Sequence, residues 1–331
     1  MLDLMERRQL GNDGFITSAL GLGCMGLSQG YGPADDDESI RAIHHAIELG
    51  VTMLDTAMSY GQGHNERLIG RALAGRAGEA QVATKFGIIR DEHGVRLDGR
   101  PEHVRGYCEA SLARLGVDVI DVYYLHRVDP AVPVAETVGA MAQLVTDGKV
   151  RHLGVSEVTV SQLEQASAVH PISAVQLEWS LLWRDPEDDI AAAARRLGVG
   201  IVPYSPLGRG LLTATLTREN VADSDFRRTD PRFQGADLDQ NLAHVSALHG
   251  IAGDLGLTAG QLALAWLLAQ GPDVVPIPGS RHLGRIEQNA AAADVILTEN
   301  DLRRIEQAAP RTAWAGDRRS YAAPAITRRG S

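Results

Sequence analysis

Leu115-Gly116-Val117-Asp118-Val119-Ile120-Asp121-Val122-Tyr123-Tyr124-Leu125-His126 contains the unit from which the fold is read. A glycine stands where a helix must end in the left-handed region, and a short β-branched and aromatic run follows, apolar enough to be covered on both faces. The run stops on an ionisable residue. Leu49-Gly50-Val51 and Leu197-Gly198-Val199 repeat the punctuation. Upstream, Val104, Cys108, Leu112 and Leu115 share one helical face, and matching stripes are Ile40, Ile43 and Ile47, then Val138, Met141 and Val145, then Ile190, Ala194 and Leu197. Working outward, buried-strand runs lie at 20–26, 52–57, 81–87, 119–126, 150–156, 174–180, 200–207 and 274–280, eight in all. Strict alternation of strand and helix implies parallel strands with right-handed crossovers. Such strands either close into a barrel or lie open between two helical layers. The even repeat and the length favour one α/β domain over residues 1–331, a parallel (β/α)8 TIM barrel.

Three segments fall outside the repeat. Within residues 1–19, Gly11-Asn12-Asp13-Gly14 between Leu10 and Phe15-Ile16 reads as an N-terminal β-hairpin, placed to plug the barrel bottom. Residues 208–249 are polar and rich in Asp, Arg and Gly, which predicts a long functional loop or lid. Thr258 and Gln261 form a capping-box pattern ahead of the apolar residues 262–268. An extra C-terminal helix follows Leu297-Thr298-Glu299-Asn300-Asp301, and residues 311–331 read as a loosely held tail.

With 44% apolar residues in 331, the chain has ample material for a core. Acidic residues outnumber Lys plus Arg by 42 to 32, and this net charge of -10 argues against nucleic acid and anionic membranes as partners. A phosphate-bearing ligand therefore needs a local basic cluster. Cys24 and Cys108 are too few for a disulfide framework, and His44, His45 and His93 lack partners at metal-ligand spacing, so no metal is expected. The N-terminus lacks the apolar core of a signal peptide and no stretch is long enough to span a bilayer, which predicts a soluble cytoplasmic protein acting on small molecules.

In a parallel barrel the chemistry sits at the carboxyl ends of the strands. Asp55, Lys85 and His126 close three successive runs, and Tyr60 follows in the glycine-flanked loop Ser59-Tyr60-Gly61. Each alone reads as an ordinary polar strand end; together they are chemically interpretable. A free phenol has a pKa near ~10 and is a weak acid at neutral pH unless its anion is stabilised. A neighbouring ammonium does that, and a buried lysine needs a carboxylate to stay charged. The set predicts a proton donor aimed at a carbonyl oxygen, with hydride from a separate source. Two other readings stay open: a cofactor-binding redox sensor, and an aldolase or isomerase using Lys85 as a nucleophile.

Asp55-Thr56-Ala57-Met58-Ser59-Tyr60-Gly61, Asn65-Glu66-Arg67-Leu68-Ile69-Gly70, Ala83-Thr84-Lys85, Tyr124-Leu125-His126 and Gly154-Val155-Ser156 closely resemble the aldo-keto reductase superfamily. Leu22-Gly23-Cys24-Met25-Gly26 and Tyr204-Ser205-Pro206-Leu207-Gly208-Arg209-Gly210 resemble its bacterial, plant and fungal branches. The resemblance implies carbonyl reduction with Asp55, Tyr60, Lys85 and His126 as the catalytic set. It also implies bound NADPH, with Ser156 and Gln176 at the nicotinamide carboxamide and Tyr204 stacked on the ring. Ser205, Leu207 and Gly208 would line the pyrophosphate, Ser280 and Arg285 would meet the 2′-phosphate, and Gln288 and Asn289 the adenine, with Gly26, Gly210, Gly279 and Arg281 as further cofactor contacts. The basic segment 278–289 joins a strand end to a helix N-terminus, an arrangement that favours anions without reference to any family. Two positions depart from the pattern, Glu157 where many members carry asparagine and Gly279 where some carry lysine. Met25, Met58 and Trp179, at or just beyond strand ends, are the candidate substrate contacts, and Trp266 is assigned to packing.

Overall fold

The computed structural model describes residues 5–76, 78–92, 94–216 and 225–318. In chain order it contains β1 (Arg7–Leu10), β2 (Phe15–Ser18), β3 (Gly21–Gly23), α1 (Asp36–Glu48), β4 (Met53–Asp55), α2 (His64–Leu73), β5 (Gln81–Phe86), β6 (Ile88–Asp91), β7 (Gly94–Leu97) and α3 (Pro101–Leu115). The chain continues with β8 (Ile120–Leu125), α4 (Val134–Thr146), β9 (Val150–Ser156), α5 (Val160–Val169), β10 (Ala174–Glu178), α6 (Ile190–Leu197), β11 (Gly200–Tyr204), α7 (Gly235–Asp254), α8 (Ala259–Leu268), α9 (Leu283–Ala291) and α10 (Glu299–Ala308). Gly116 and Gly198 end α3 and α6 with φ of 65° and 68°, the left-handed turn their position in the sequence predicts.

Strands β3, β4, β5, β8, β9, β10 and β11 form one parallel sheet in that order. The eighth expected strand, 274–280, is not a regular strand, because Pro276 and Pro278 have no N–H to give to a ladder. It closes the barrel with alternate bonds. Val275 N and Ile277 N donate to Ile201 O and Pro203 O of β11 at 2.9 and 3.0 Å, while the carbonyls of Pro276 and Pro278 accept from Gly21 N and Gly23 N of β3 at 2.9 and 3.2 Å. A Cβ on Gly23 would lie 2.7 Å from Ile277 O, so this seam requires glycine.

The β1–β2 hairpin plugs one end. Leu10 and Phe15 pack with Met53, Val122, Ala174 and Val202 inside the barrel, and Asp13 accepts from Ser173 and contacts His152 on the barrel wall. Leu10 is fully buried. Leu10→Ala is therefore expected to cost about 2–4 kcal/mol, read from chemical denaturation, with little change in cofactor affinity because the plug lies away from the strand ends that carry the site.

Elsewhere the fold departs from the sequence reading. A second antiparallel hairpin, β6–β7, lies between β5 and α3, where the sequence pattern predicts none. The stretch expected as a single loop, 208–249, is a loop only in part: α7 occupies it from Gly235, burying Leu238, Val245 and Leu248. Residues 311–318 are not a loose tail. Asn241 on α7 donates to Ala315 O and accepts from Ala315 N, and Arg318 is 4% exposed. Residues 319–331 lie outside the described part. The capping box at Thr258 and Gln261 opens α8 as predicted, and Thr298 with Asp301 opens α10 in the same way. No single helix among the described residues is long and apolar enough to cross a membrane.

Candidate active site

Asp55 ends β4 and Lys85 lies one residue from the end of β5; Asp55 pairs in register with Ala83, two residues before Lys85, and the long lysine side chain spans that offset. Lys85 Nζ donates to Asp55 Oδ1 at 2.6 Å and to Thr56 O at 2.7 Å, and it lies 3.4 Å from the Tyr60 hydroxyl. Gln176 Nε2 on β10 donates to the other Asp55 oxygen at 2.8 Å. The Asn65-Glu66 motif on α2 supports these strand ends. Asn65 accepts from Thr56 and donates to Cys24 O and Ser28 Oγ, while buried Glu66 accepts from Thr84 Oγ1 and Arg114 Nε.

Burial alone would pull the Lys85 ammonium down, but Asp55 and Tyr60 together outweigh it and hold it above the ordinary lysine range. For Tyr60 the balance runs the other way. Burial pushes its phenol above its ordinary value, and Lys85 only partly offsets this. The sequence logic that the ammonium makes Tyr60 a stronger acid is thus corrected: Lys85 makes it less weak than burial would leave it, and the phenol keeps its proton at neutral pH. Lys85 as a nucleophile is also disfavoured, because it is charged, ion-paired, fully buried and behind the cavity wall. Burial, followed by the charges of Arg127, Lys85 and Arg90, pushes His126 well below its usual range, so the ring is neutral. Its ring meets that of Tyr60 edge to face, 5.8 Å apart at 83°.

These groups open onto a cavity of about 670 Å³. It runs from Asp55, Tyr60 and His126 past Gln176 and Tyr204 to Arg285, Gln288 and Asn289. Among the described residues, Arg90, Arg127, Arg209, Arg227, Arg281 and Arg285 line it against one carboxylate, Asp55. This is the local basic cluster that an acidic chain needs to meet phosphates. Ser205 and Arg209 adopt φ of 50° and 57° and Gly210 of 94°, curling the β11 loop around the middle of the cavity. The helix α9 begins at the far end with no side-chain cap, its positive end beside Arg285.

Most site residues expected from the sequence line this cavity, including Met25, Gly26, Ser205, Leu207, Gly210, Gly279, Ser280 and Arg281. Four lie elsewhere. Trp179 is 1% exposed, donates to Glu187 and packs edge-on against Trp266, while Met58 packs into the outer core, so neither lines the cavity. Ser156 is buried behind the wall, where Arg127 donates to its hydroxyl at 3.0 Å. Gly208 packs against Leu182 and Leu212. Sequence reading missed Tyr31, Ile88, Arg90 and Arg127 in the lining. Arg127 directly follows His126 and was accessible to the strand-end rule; Ile88 and Arg90 lie on the unexpected hairpin. His44 and His45 are engaged with Ala72 O and Glu287, and His93 lies outside the described residues.

Residues 19–310 match the aldo/keto reductase family. The chain belongs to that family. It is 47% identical over 313 residues to the probable aldo-keto reductase 1 of Glycine max, covering 94% of this chain and 90% of the relative. Among solved structures, the glycerol dehydrogenase of Gluconobacter oxydans superposes with a TM-score of 0.84 at 31% identity, covering 91% of this chain and 94% of that one. An aldo-keto reductase from Klebsiella pneumoniae in complex with NADPH superposes with a TM-score of 0.70 at 25% identity, over 94% of this chain and 99% of that one. As a family member the protein is an oxidoreductase of the nicotinamide-dependent kind, built on the (β/α)8 barrel.

Proposed function

We propose that this aldo-keto reductase reduces aldehydes or ketones to alcohols with NADPH, using Tyr60 as the proton donor. The observation that carries the reading is the Lys85–Asp55 pair set 3.4 Å behind a protonated Tyr60 hydroxyl at the mouth of a basic cavity. When bound, NADPH supplies the hydride. Tyr60 gives its proton to the carbonyl oxygen, and Lys85, held charged by Asp55, stabilises the phenolate left behind. Neutral His126 has a buried Nδ1 without a partner among the described residues, and its ring hydrogen-bonds the same oxygen and orients it. Met25 and Ile88 supply an apolar wall for the rest of the substrate.

The cavity also fits the dinucleotide. Tyr204 offers a ring face beside Gln176, which would hold the carboxamide from the front while Arg127 and Ser156 back it. Ser205, Leu207 and Gly210 would line the pyrophosphate, with Gly26 and Gly279 leaving room for it. Ser280, Arg281 and Arg285 would meet the 2′-phosphate, and Gln288 and Asn289 the adenine. Arg281 already donates to Tyr31 O and Pro33 O, whereas Arg285 is exposed and its guanidinium has no hydrogen bond or ion pair among the described residues, which makes it the freer phosphate partner. NADPH oxidation across aliphatic, aromatic and dicarbonyl substrates, run beside NADH, tests the reading. Arg285→Ala is expected to raise the KM for NADPH roughly tenfold, the scale of one lost charge-assisted hydrogen bond, and to leave the KM for NADH unchanged. Equal effects on both cofactors would remove Arg285 from the 2′-phosphate.

A further inference from the structure

Glu157, directly after Ser156, adopts φ of 54°, a left-handed conformation uncommon for a glutamate. Its backbone N–H donates to Gln176 O, and its side chain is 3% exposed. Both carboxylate oxygens are occupied. Oε1 accepts from Glu178 N at 3.0 Å and from Arg318 Nη1 at 2.9 Å, and Oε2 accepts from Arg318 Nη2 at 2.5 Å. Arg318 comes from the far end of the chain and lies over the Trp183 ring at 5.2 Å, with Nη1 3.4 Å from the Tyr204 hydroxyl. It also stands 3.7 Å from Glu178, which is paired with Arg232 at 2.6 Å. The other cation in the field of Glu157, Arg127, is committed to His126 O and Ser156 Oγ.

Burial would raise the Glu157 carboxyl, yet Arg318 brings it down to about 2, so the pair is a carboxylate and a guanidinium, both out of water. An unpaired buried charge is far more costly than a paired one. Glu157 touches Gln176 and, through Arg318, Tyr204, the residues that the proposed function sets around the nicotinamide, and the role of Arg318 rests on that reading. An oxidised nicotinamide ring is cationic and a reduced one is neutral. A bare carboxylate at this place would therefore favour the oxidised cofactor.

We propose that Arg318 is a positioning residue that neutralises Glu157 and anchors the Tyr204 hydroxyl, so that the C-terminal segment sets the relative affinity for oxidised and reduced cofactor. The barrel strands supply the contacts, and Arg318 supplies the charge balance behind them.

Calorimetric titration of NADP+ and NADPH into the parent, Arg318→Met, Arg318→Lys, Glu157→Gln and the double variant R318M/E157Q tests this. Arg318→Met is expected to shift the ratio of the two dissociation constants about tenfold towards NADP+. Arg318→Lys and the double variant should return it near the parent ratio. Glu157→Gln, which leaves Arg318 only the longer contact to Glu178 at 3.7 Å, should shift it the opposite way, and this arm decides the matter if Arg318→Met does not fold. A folded Arg318→Met that binds both cofactors in the parent ratio, or weakens both equally without rescue by Glu157→Gln, overturns the inference while leaving the proposed function standing. A parent protein that binds neither dinucleotide overturns both.

Discussion

Tyr60→Phe is expected to bind NADPH as the parent does and to lose ~100- to 10,000-fold in turnover, the usual contribution of a positioned proton donor. The substitution removes one hydroxyl and keeps the ring that meets His126 edge to face. Lys85 loses only its longest contact, at 3.4 Å, and keeps Asp55 and Thr56 O at 2.6 and 2.7 Å. Stability should therefore change by less than ~1 kcal/mol, the net worth of one ordinary hydrogen bond. Single-turnover rates, cofactor titration and a melting curve separate the three quantities. Turnover at the parent rate would remove Tyr60 from the reaction. Because burial holds the phenol above its ordinary value, its proton is present throughout the neutral range, and parent turnover should show no loss from this group until strongly alkaline pH.

Lys85→Met should be worse on two counts. Turnover falls because the phenolate that Tyr60 would form loses its neighbouring ammonium, and stability at neutral pH falls by about 3–5 kcal/mol because Asp55, 3% exposed, loses its paired cation and keeps the Gln176 amide, so its charge is no longer balanced. Burial already pushes Asp55 above the ordinary carboxylate range, and Lys85 is the largest influence pulling it back. In the variant the folded state holds that proton more tightly than the unfolded one. Stability is then present below the unfolded carboxylate pKa and is lost as pH rises through the folded value, so denaturation midpoints should be higher at pH ~5 than at pH ~8. Adding Asp55→Asn should restore most of the stability and none of the turnover. A lone Lys85→Met with parent stability would show that the buried pair is not held as an ion pair.

The grouping of Asp55, Tyr60, Lys85 and His126 was legible because each ends a strand or sits in the loop after one, and a parallel barrel carries chain-local position into space. Asp55, Lys85 and His126 sit at successive strand ends in the sequence and in the sheet alike. The basic segment 278–289 was legible as charge against an acidic background. Trp179 was not, since a strand-end aromatic faces the cavity or the helical layer according to what packs beside it, and here Trp266 of α8 does. The loop 208–249 misled for a related reason: its polar first part concealed a helix whose buried face, Leu238, Asn241, Val245, Leu248 and Ile251, recurs at helical spacing but is broken by a polar asparagine and runs past the boundary at 249.

By itself the sequence determined the alternation of strand and helix, the plugging hairpin, the capped helices and the placing of Asp55, Tyr60, Lys85 and His126 at the strand ends, because hydrophobic period, glycine punctuation and residue type act over a few neighbours. Only the tertiary structure decided how prolines could close a barrel, which way burial moves Tyr60, and that Glu157 is answered by a cation 161 residues away. Those outcomes depend on desolvation and on partners brought together from distant parts of the chain, and neither is written in local pattern.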